Sequence, residues 1–188
     1  SALILLAILL DGIDGKVARA QRKKHEFGRY LDSVSDSISF CISPAALLYK
    51  SYYVLERGSA FYDFQNAVVV LIITLIVVFG MLRLARFAYR KEDEMNYFIG
   101  LPTPALALLT VVLYSLFSGI WILPLVGISS LLMISPFRYP KIDSKLYAIS
   151  GVVAVLFSLL AVVYNNRLGI VSLILTVLYI FAAPVYYN

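Results

Sequence analysis

A polytopic, all-helical membrane bundle is the fold class this sequence predicts, and three observations predict it. Of its 188 residues, 61% are apolar and only 14% carry charge, the balance of a chain that faces lipid. The mean hydropathy of +0.87 is spread along the whole length, so residues 1–188 read as a single transmembrane domain with no soluble domain left over. The cations gather at the ends of the apolar stretches, as membrane topology requires. The net charge of +5 therefore points to membrane orientation and anionic ligands and away from nucleic acid. The single Cys41 lies inside an apolar run, which excludes an intrachain disulfide.

The elements follow in order. Ser1 to about Ala20 reads as one helix of about 30 Å with its apolar half first. It has no basic leading region, so it is not read as a signal peptide. Gln21 to Glu26 is a polar turn, and Phe27 to about Tyr49 forms the second span. Residues 50–65 read as a polar loop around Gly58, and the third span runs from about Asn66 to Tyr89. After a charged connection, Pro102 and Pro104 suit the first turn of a new helix. Residues 101–135 as one helix would be about 52 Å long against a hydrocarbon core of about 30 Å, so the stretch is split at Ser118-Gly119. Beyond the turn SPFRYPKIDSK come spans at Leu146–Tyr164 and Leu168–Tyr187, which brings the expected total to about seven.

Within this apolar frame, residues 11–36 stand apart because they carry four aspartates. Asp11 and Asp14 are three apart, and Asp32 and Asp36 four apart, so on helices each pair shares a face. The polar turn folds the second helix back, and Gly28, Asp32 and Asp36 form a stripe turned toward the Asp11/Asp14 face near one membrane surface. Ionised carboxylates are costly in a bilayer and repel one another when clustered. A hard divalent cation with oxygen ligands relieves both costs, and two such ions can stabilise the attacking and leaving oxygens of an in-line displacement at phosphorus. Small residues at Gly15, Ala18 and Gly28 let helices approach closely or a flat nucleotide lie against backbone. All cations except Lys50, Arg57 and Arg167 fall on the side of the aspartates, which places the acidic site on the cytoplasmic face of a multi-pass cell-membrane protein.

The pattern Asp11-x2-Asp14-Gly15-x2-Ala18-Arg19-x8-Gly28-x3-Asp32-x3-Asp36 resembles the CDP-alcohol phosphotransferase family at every signature position. Those specified residues would recur by chance in roughly one window in 10^10, which makes the match specific. Further strings, LRLARF (82–87), FIGLPTPA (98–105) and SPFRYPK (135–141), are similar to those of the membrane phosphatidylserine synthases of bacteria and archaea. The resemblance implies a preceding span before Ser1, a homodimer, and two divalent cations, Mg²⁺ or Mn²⁺ or else Ca²⁺, bound by Asp11, Asp14, Asp32 and Asp36. It implies that Asp36 doubles as general base, that Gly15, Ala18, Arg19 and Gly28 line the CMP site, and that CDP-diacylglycerol or CDP-archaeol donates its lipid phosphate to L-serine. Local reasoning agrees that a carboxylate beside a metal is a plausible base but does not choose Asp36 over Asp32.

Serine carries a carboxylate, and a cation near the site is the simplest way to hold it. Arg83, Arg86, Arg138 and Lys141 are the candidates, with Arg86 and Arg138 expected first because the end of the third span and the 135–141 turn could converge on Asp36. The plainer reading of these arginines is that they snorkel to headgroups. Arg22-Lys23-Lys24 reads as a topology signal, and one histidine, His25, with no cysteine cluster argues against zinc. Trp121, Tyr52, Tyr53, Tyr186 and Tyr187 read as interfacial belt residues, and Pro44 and Pro124 as kinks or turns. Two other readings stay open: the same chemistry on inositol phosphate, glycerol phosphate or another alcohol, and a cation-coupled transporter. The transporter reading has no use for the glycine and arginine spacing, and the chain shows no inverted repeat.

Overall fold

The computed structural model describes residues 1–20, 26–54, 60–90, 97–117, 119–140, 145–163 and 167–187. Helix α1 spans Ala2–Ala20 and α2 spans Glu26–Asp36. A π-helical segment, Ser37–Ile42, joins α2 to α3 (Ser43–Tyr52), and the three form one continuous helical rod. Then come α4 (Ala60–Arg90), β1 (Tyr97–Ile99), α5 (Thr103–Leu116), α6 (Ile122–Leu131), β2 (Arg138–Pro140), α7 (Lys145–Val163) and α8 (Arg167–Tyr187). Counting the α2–α3 rod once, the described residues form seven helices, the number expected from the sequence. The break anticipated at Ser118-Gly119 falls between α5 and α6, and Pro102 and Pro104 flank the first residue of α5.

One boundary, one proline and one added element differ from expectation. Helix α4 begins at Ala60 and not at Asn66, because Asn66 is used inside the helix to tie down the preceding loop. Its amide accepts from Val54 N–H at 2.9 Å and donates to Val54 O at 2.8 Å, and Gln65 donates to Tyr52 O at 2.8 Å. Pro44 does not break its helix. The π segment ahead of it widens the turn, and Ser43 N–H reaches back to Ile38 O, so the rod continues where the proline ring would otherwise clash with the previous turn. The added element is a two-stranded antiparallel ladder in which Tyr97, Phe98 and Ile99 pair with Pro140, Tyr139 and Arg138. Tyr139 is fully buried and donates to Ile180 O at 3.2 Å, which fastens the ladder to α8. Burial pushes the Tyr139 hydroxyl up to about 12, so it stays protonated as a donor.

The core is built around α5. Its residues from Leu106 to Leu113 are all buried, as expected for a helix that is apolar on every side. One cluster joins Leu106, Leu109 and Leu113 to Val69, Ile76 and Leu123 on α4 and α6. The other joins Ala107, Val111 and Val112 to Ile4 and Leu5 of α1, Phe40 of the π segment and Val155 of α7. Helices α7 and α8 share a buried Ser158–Ser172 hydroxyl pair at 2.6 Å. Large apolar side chains such as Leu3, Phe64, Ile128, Leu156, Ile174 and Phe181 point outward. Among the described residues, the 60–89 stretch of α4 alone is both long and apolar enough to cross a membrane unaided; the other apolar helices there are shorter.

The π segment and α4 approach closely at Gly80. A Cβ added there would run into Cys41 Sγ and come within 3.3 Å of Cys41 Cβ. Gly80→Ala is therefore expected to lower the thermal midpoint in detergent, at a cost of about 1–3 kcal/mol for overpacking. Gly151→Ala, where a Cβ would meet nothing within 4 Å, should leave the midpoint unchanged or raise it. A Gly80→Ala midpoint equal to wild type would refute the close approach.

Candidate metal centre and acceptor site

Two helices build the site. Asp11 sits in α1 beyond its apolar half, and Asp32 and Asp36 lie one turn apart on α2. The shape of the α2 rod sets Asp36 immediately before the π segment, whose Phe40 is buried against α1 and α5. One carboxylate oxygen from each of Asp11, Asp32 and Asp36 lies within 4.8 Å of the others. Asp11 and Asp36 are half-buried and Asp32 is exposed. Side-chain details of Asp14, Gly15, Ala18 and Arg19 lie outside the described residues, although their backbone belongs to α1.

Like charges at this range repel by about 3 kcal/mol per pair at an effective dielectric constant near 20. Three all-oxygen donors at this separation match the hard-ligand chemistry of a divalent cation, which would replace that repulsion with attraction. The donor set therefore fits the expected metal. Among the described residues, a Cβ at Gly28 would meet nothing within 4 Å, so on their account the face of α2 one turn before Asp32 is open.

The expected acceptor cations separate into distinct environments. Arg83 is 6% exposed, and its guanidinium carbon lies 5.5 Å from the Phe87 ring centroid and 5.4 Å from that of Phe98. The two rings hold the cation by their negative faces and strip it of water. The charges of Asp11, Asp32 and Arg83 are all felt at Asp36. Arg86, expected to lead the acceptor contacts, is committed elsewhere. Its Nη2 donates to Ile99 O at 2.6 Å and to Met133 O at 3.1 Å, and Nη1 reaches Ile134 O at 3.4 Å. It thus clamps the end of β1 to the turn after α6. Gly100, at φ +83°, completes the clamp: a Cβ there would collide with Met133 O and crowd Arg86 Nη2. Arg138 is exposed at the start of β2, paired in register with Ile99. Lys141 lies outside the described residues, as do His25, Gly58 and the Arg22-Lys23-Lys24 run.

Sequence reasoning missed the aromatic partners of Arg83 and the structural use of Arg86. Phe87 is one turn from Arg83, a spacing that could have been noticed, but Phe98 arrives through the strand pairing and left no local signal. The buried Thr103 at the start of α5 was also passed over.

Comparison with known proteins bears on this geometry. The family model described as CDP-alcohol phosphatidyltransferase matches residues 1–135. The chain is 37% identical over 147 residues to the CDP-diacylglycerol–serine O-phosphatidyltransferase of Methanocaldococcus jannaschii, covering 78% of this chain and 66% of that protein. It is 40% identical over 148 residues to the archaetidylserine synthase of Methanothermobacter thermautotrophicus, covering 75% and 58%. With the CDP-diacylglycerol–serine O-phosphatidyltransferase of Helicobacter pylori it shares 35% over 149 residues, covering 74% and 59%. The chain thus spans roughly three fifths to two thirds of the length of these relatives. With the matched segment containing the whole acidic stripe of α1 and α2, this chain belongs to the CDP-alcohol phosphatidyltransferase family.

Proposed function

We propose that this chain is a transferase of phospholipid synthesis that moves the phosphatidyl or archaetidyl group of a CDP-lipid to the hydroxyl of L-serine and releases CMP. The observation that carries the reading is the convergence of Asp11, Asp32 and Asp36 within 4.8 Å in a chain of this family. Serine as acceptor draws on the names of the relatives and on the buried Arg83. Outward apolar side chains and the one-sided cations support a multi-pass membrane protein whose acidic site faces the cytoplasm, where an activated nucleotide reaches it while the lipid tails stay in the bilayer.

Divalent cations held by Asp11, Asp14, Asp32 and Asp36 would, when bound, offset the pyrophosphate charge and that developing on the leaving CMP. Asp36 takes the proton of the serine hydroxyl. It is half-buried where Asp32 is exposed, so the transfer is the better shielded from bulk water. The hydroxyl oxygen bonds to the lipid-bearing phosphorus, and the bond from that phosphorus to the CMP oxygen breaks. Open space beside Gly28 leaves room for the nucleotide, with Gly15, Ala18 and Arg19 as its further contacts. Arg83 binds the serine carboxylate. Its flat guanidinium, desolvated between two rings, is a stronger partner for a carboxylate than one in water. Arg86 serves the site indirectly, by holding β1 and with it Phe98 in place.

Purified protein given CDP-lipid, Mg²⁺ or Mn²⁺ and serine should release CMP, and a chelator should stop the release reversibly. CMP with a different alcohol alone would transfer the reading to that acceptor; no CMP with any alcohol would favour a cation carrier. Asp36→Asn should lower kcat by about 10²-fold or more, the usual contribution of a general base. Arg83→Ala should raise the serine KM by about tenfold, as one charge-assisted hydrogen bond is worth, while the CDP-lipid KM holds. An unchanged serine KM would remove Arg83 from the acceptor site.

A further inference from the structure

Thr103 opens α5 and is fully buried, yet its hydroxyl finds no hydrogen-bond partner among the described residues. Several other buried hydroxyls among the described residues are satisfied within their own helices. Thr110 donates to Leu106 O at 2.9 Å, Ser158 to Ala154 O at 2.8 Å and Thr176 to Ser172 O at 2.8 Å. That route is closed to Thr103, because the carbonyl four residues back, Ile99 O, lies in β1 and accepts from Arg86. Helix capping does not use the hydroxyl either, since the N–H groups of Ala105 and Leu106 both bond to Pro102 O. A buried hydroxyl left unpaired is costly and calls for a partner from outside the fold.

Its position says what that partner is. Thr103, Ala107 and Val111 form one i, i+4, i+8 stripe on α5. Ala107 and Val111 pack in the cluster of Ile4, Leu5 and Phe40, so the stripe faces α1 and the π segment. Arg83, whose charge is felt at Asp36, lies 5.4 Å from the Phe98 ring, and Phe98 closely precedes Thr103 in the chain, so α5 starts at the Asp36 end of the bundle. Asp36 lies one turn before Phe40, just as Thr103 lies one turn before Ala107. The hydroxyl therefore lies at the Asp36 end of the stripe that α5 turns toward α1 and the π segment. On the neighbouring side, Arg83 is held by Phe98, a few residues before Thr103 in the chain.

We propose that Thr103 is an acceptor-contact residue: its hydroxyl hydrogen-bonds the charged head of the acceptor amino acid while the acceptor's own hydroxyl meets Asp36. This rests on the transferase reading above, in which the nucleotide lies against Gly15, Ala18, Arg19 and Gly28 of α1 and α2. The hydroxyl can donate to a carboxylate or accept from an ammonium group, and either one completes its own bonding.

The test is steady-state kinetics on the purified full chain with CDP-lipid and serine, with thermal midpoints measured alongside. Thr103→Val should raise the serine KM by about tenfold, the loss of one hydrogen bond to a charged group, with the CDP-lipid KM unchanged. Thr103→Ser should restore the serine KM. The midpoint without substrates should not fall in Thr103→Val, since the unpaired hydroxyl is gone. Thr103→Ala removes the same hydroxyl without valine's branch and should show the same KM change. Active Thr103→Val and Thr103→Ala variants with a wild-type serine KM would overturn the inference and leave the transferase reading standing. A shift confined to the CDP-lipid KM would also overturn it. If wild-type protein releases no CMP with serine, both fall together.

Discussion

Everything in this bundle answers to the need to hold three carboxylates within 4.8 Å of each other on two neighbouring helices. Left to electrostatics, α1 and α2 would part there. They are held by what lies farther along each helix, where charge is absent. Leu5 of α1 and Phe40 of the π segment are both buried against α5, within about two turns of the aspartates. Burial of large apolar side chains, at roughly 1.5–3 kcal/mol each, thus works as the lever that keeps the acidic stretches together.

Helix α5 makes that lever rigid because it belongs to both core clusters at once. One of its sides meets α1 and the π segment, and the other meets α4 and α6. The π segment then has a clear structural role. It carries the α2–α3 rod through Pro44 without a break and lets Cys41 nest against Gly80, so the helix bearing Asp32 and Asp36 is fixed to α4. Arg83 rides on the same α4, and its distance from Asp36 is set by this packing and not by any loop.

The two arginines one turn apart on α4 show how position decides the use of one side chain type. Arg83 faces inward between Phe87 and Phe98 and remains a desolvated cation near the acids. Arg86 spends its donors on the carbonyls of Ile99, Met133 and Ile134. The second supports the first, because the strand it clamps is the one that carries Phe98. A place between two rings and a clamp on backbone carbonyls are both open to a guanidinium, and what separates them here is which atoms packing brings within reach.

What the sequence determined by itself is whatever depends on neighbours a few residues apart. The helices, the break near Ser118 and the shared face of Asp32 with Asp36 follow from helical periodicity, chain length and turn residues. The clustering of Asp11, Asp32 and Asp36 was also legible, because a short turn between two helices leaves few ways to fold the second back. The pairing of β1 with β2 was not, since two three-residue strands about forty residues apart carry no periodicity to read. Nor were the π segment before Pro44, the contact at Gly80, the division of labour between Arg83 and Arg86, or the unpaired hydroxyl of Thr103. Each of these depends on atoms brought close by packing between distant parts of the chain, and only the tertiary structure decides which atoms those are.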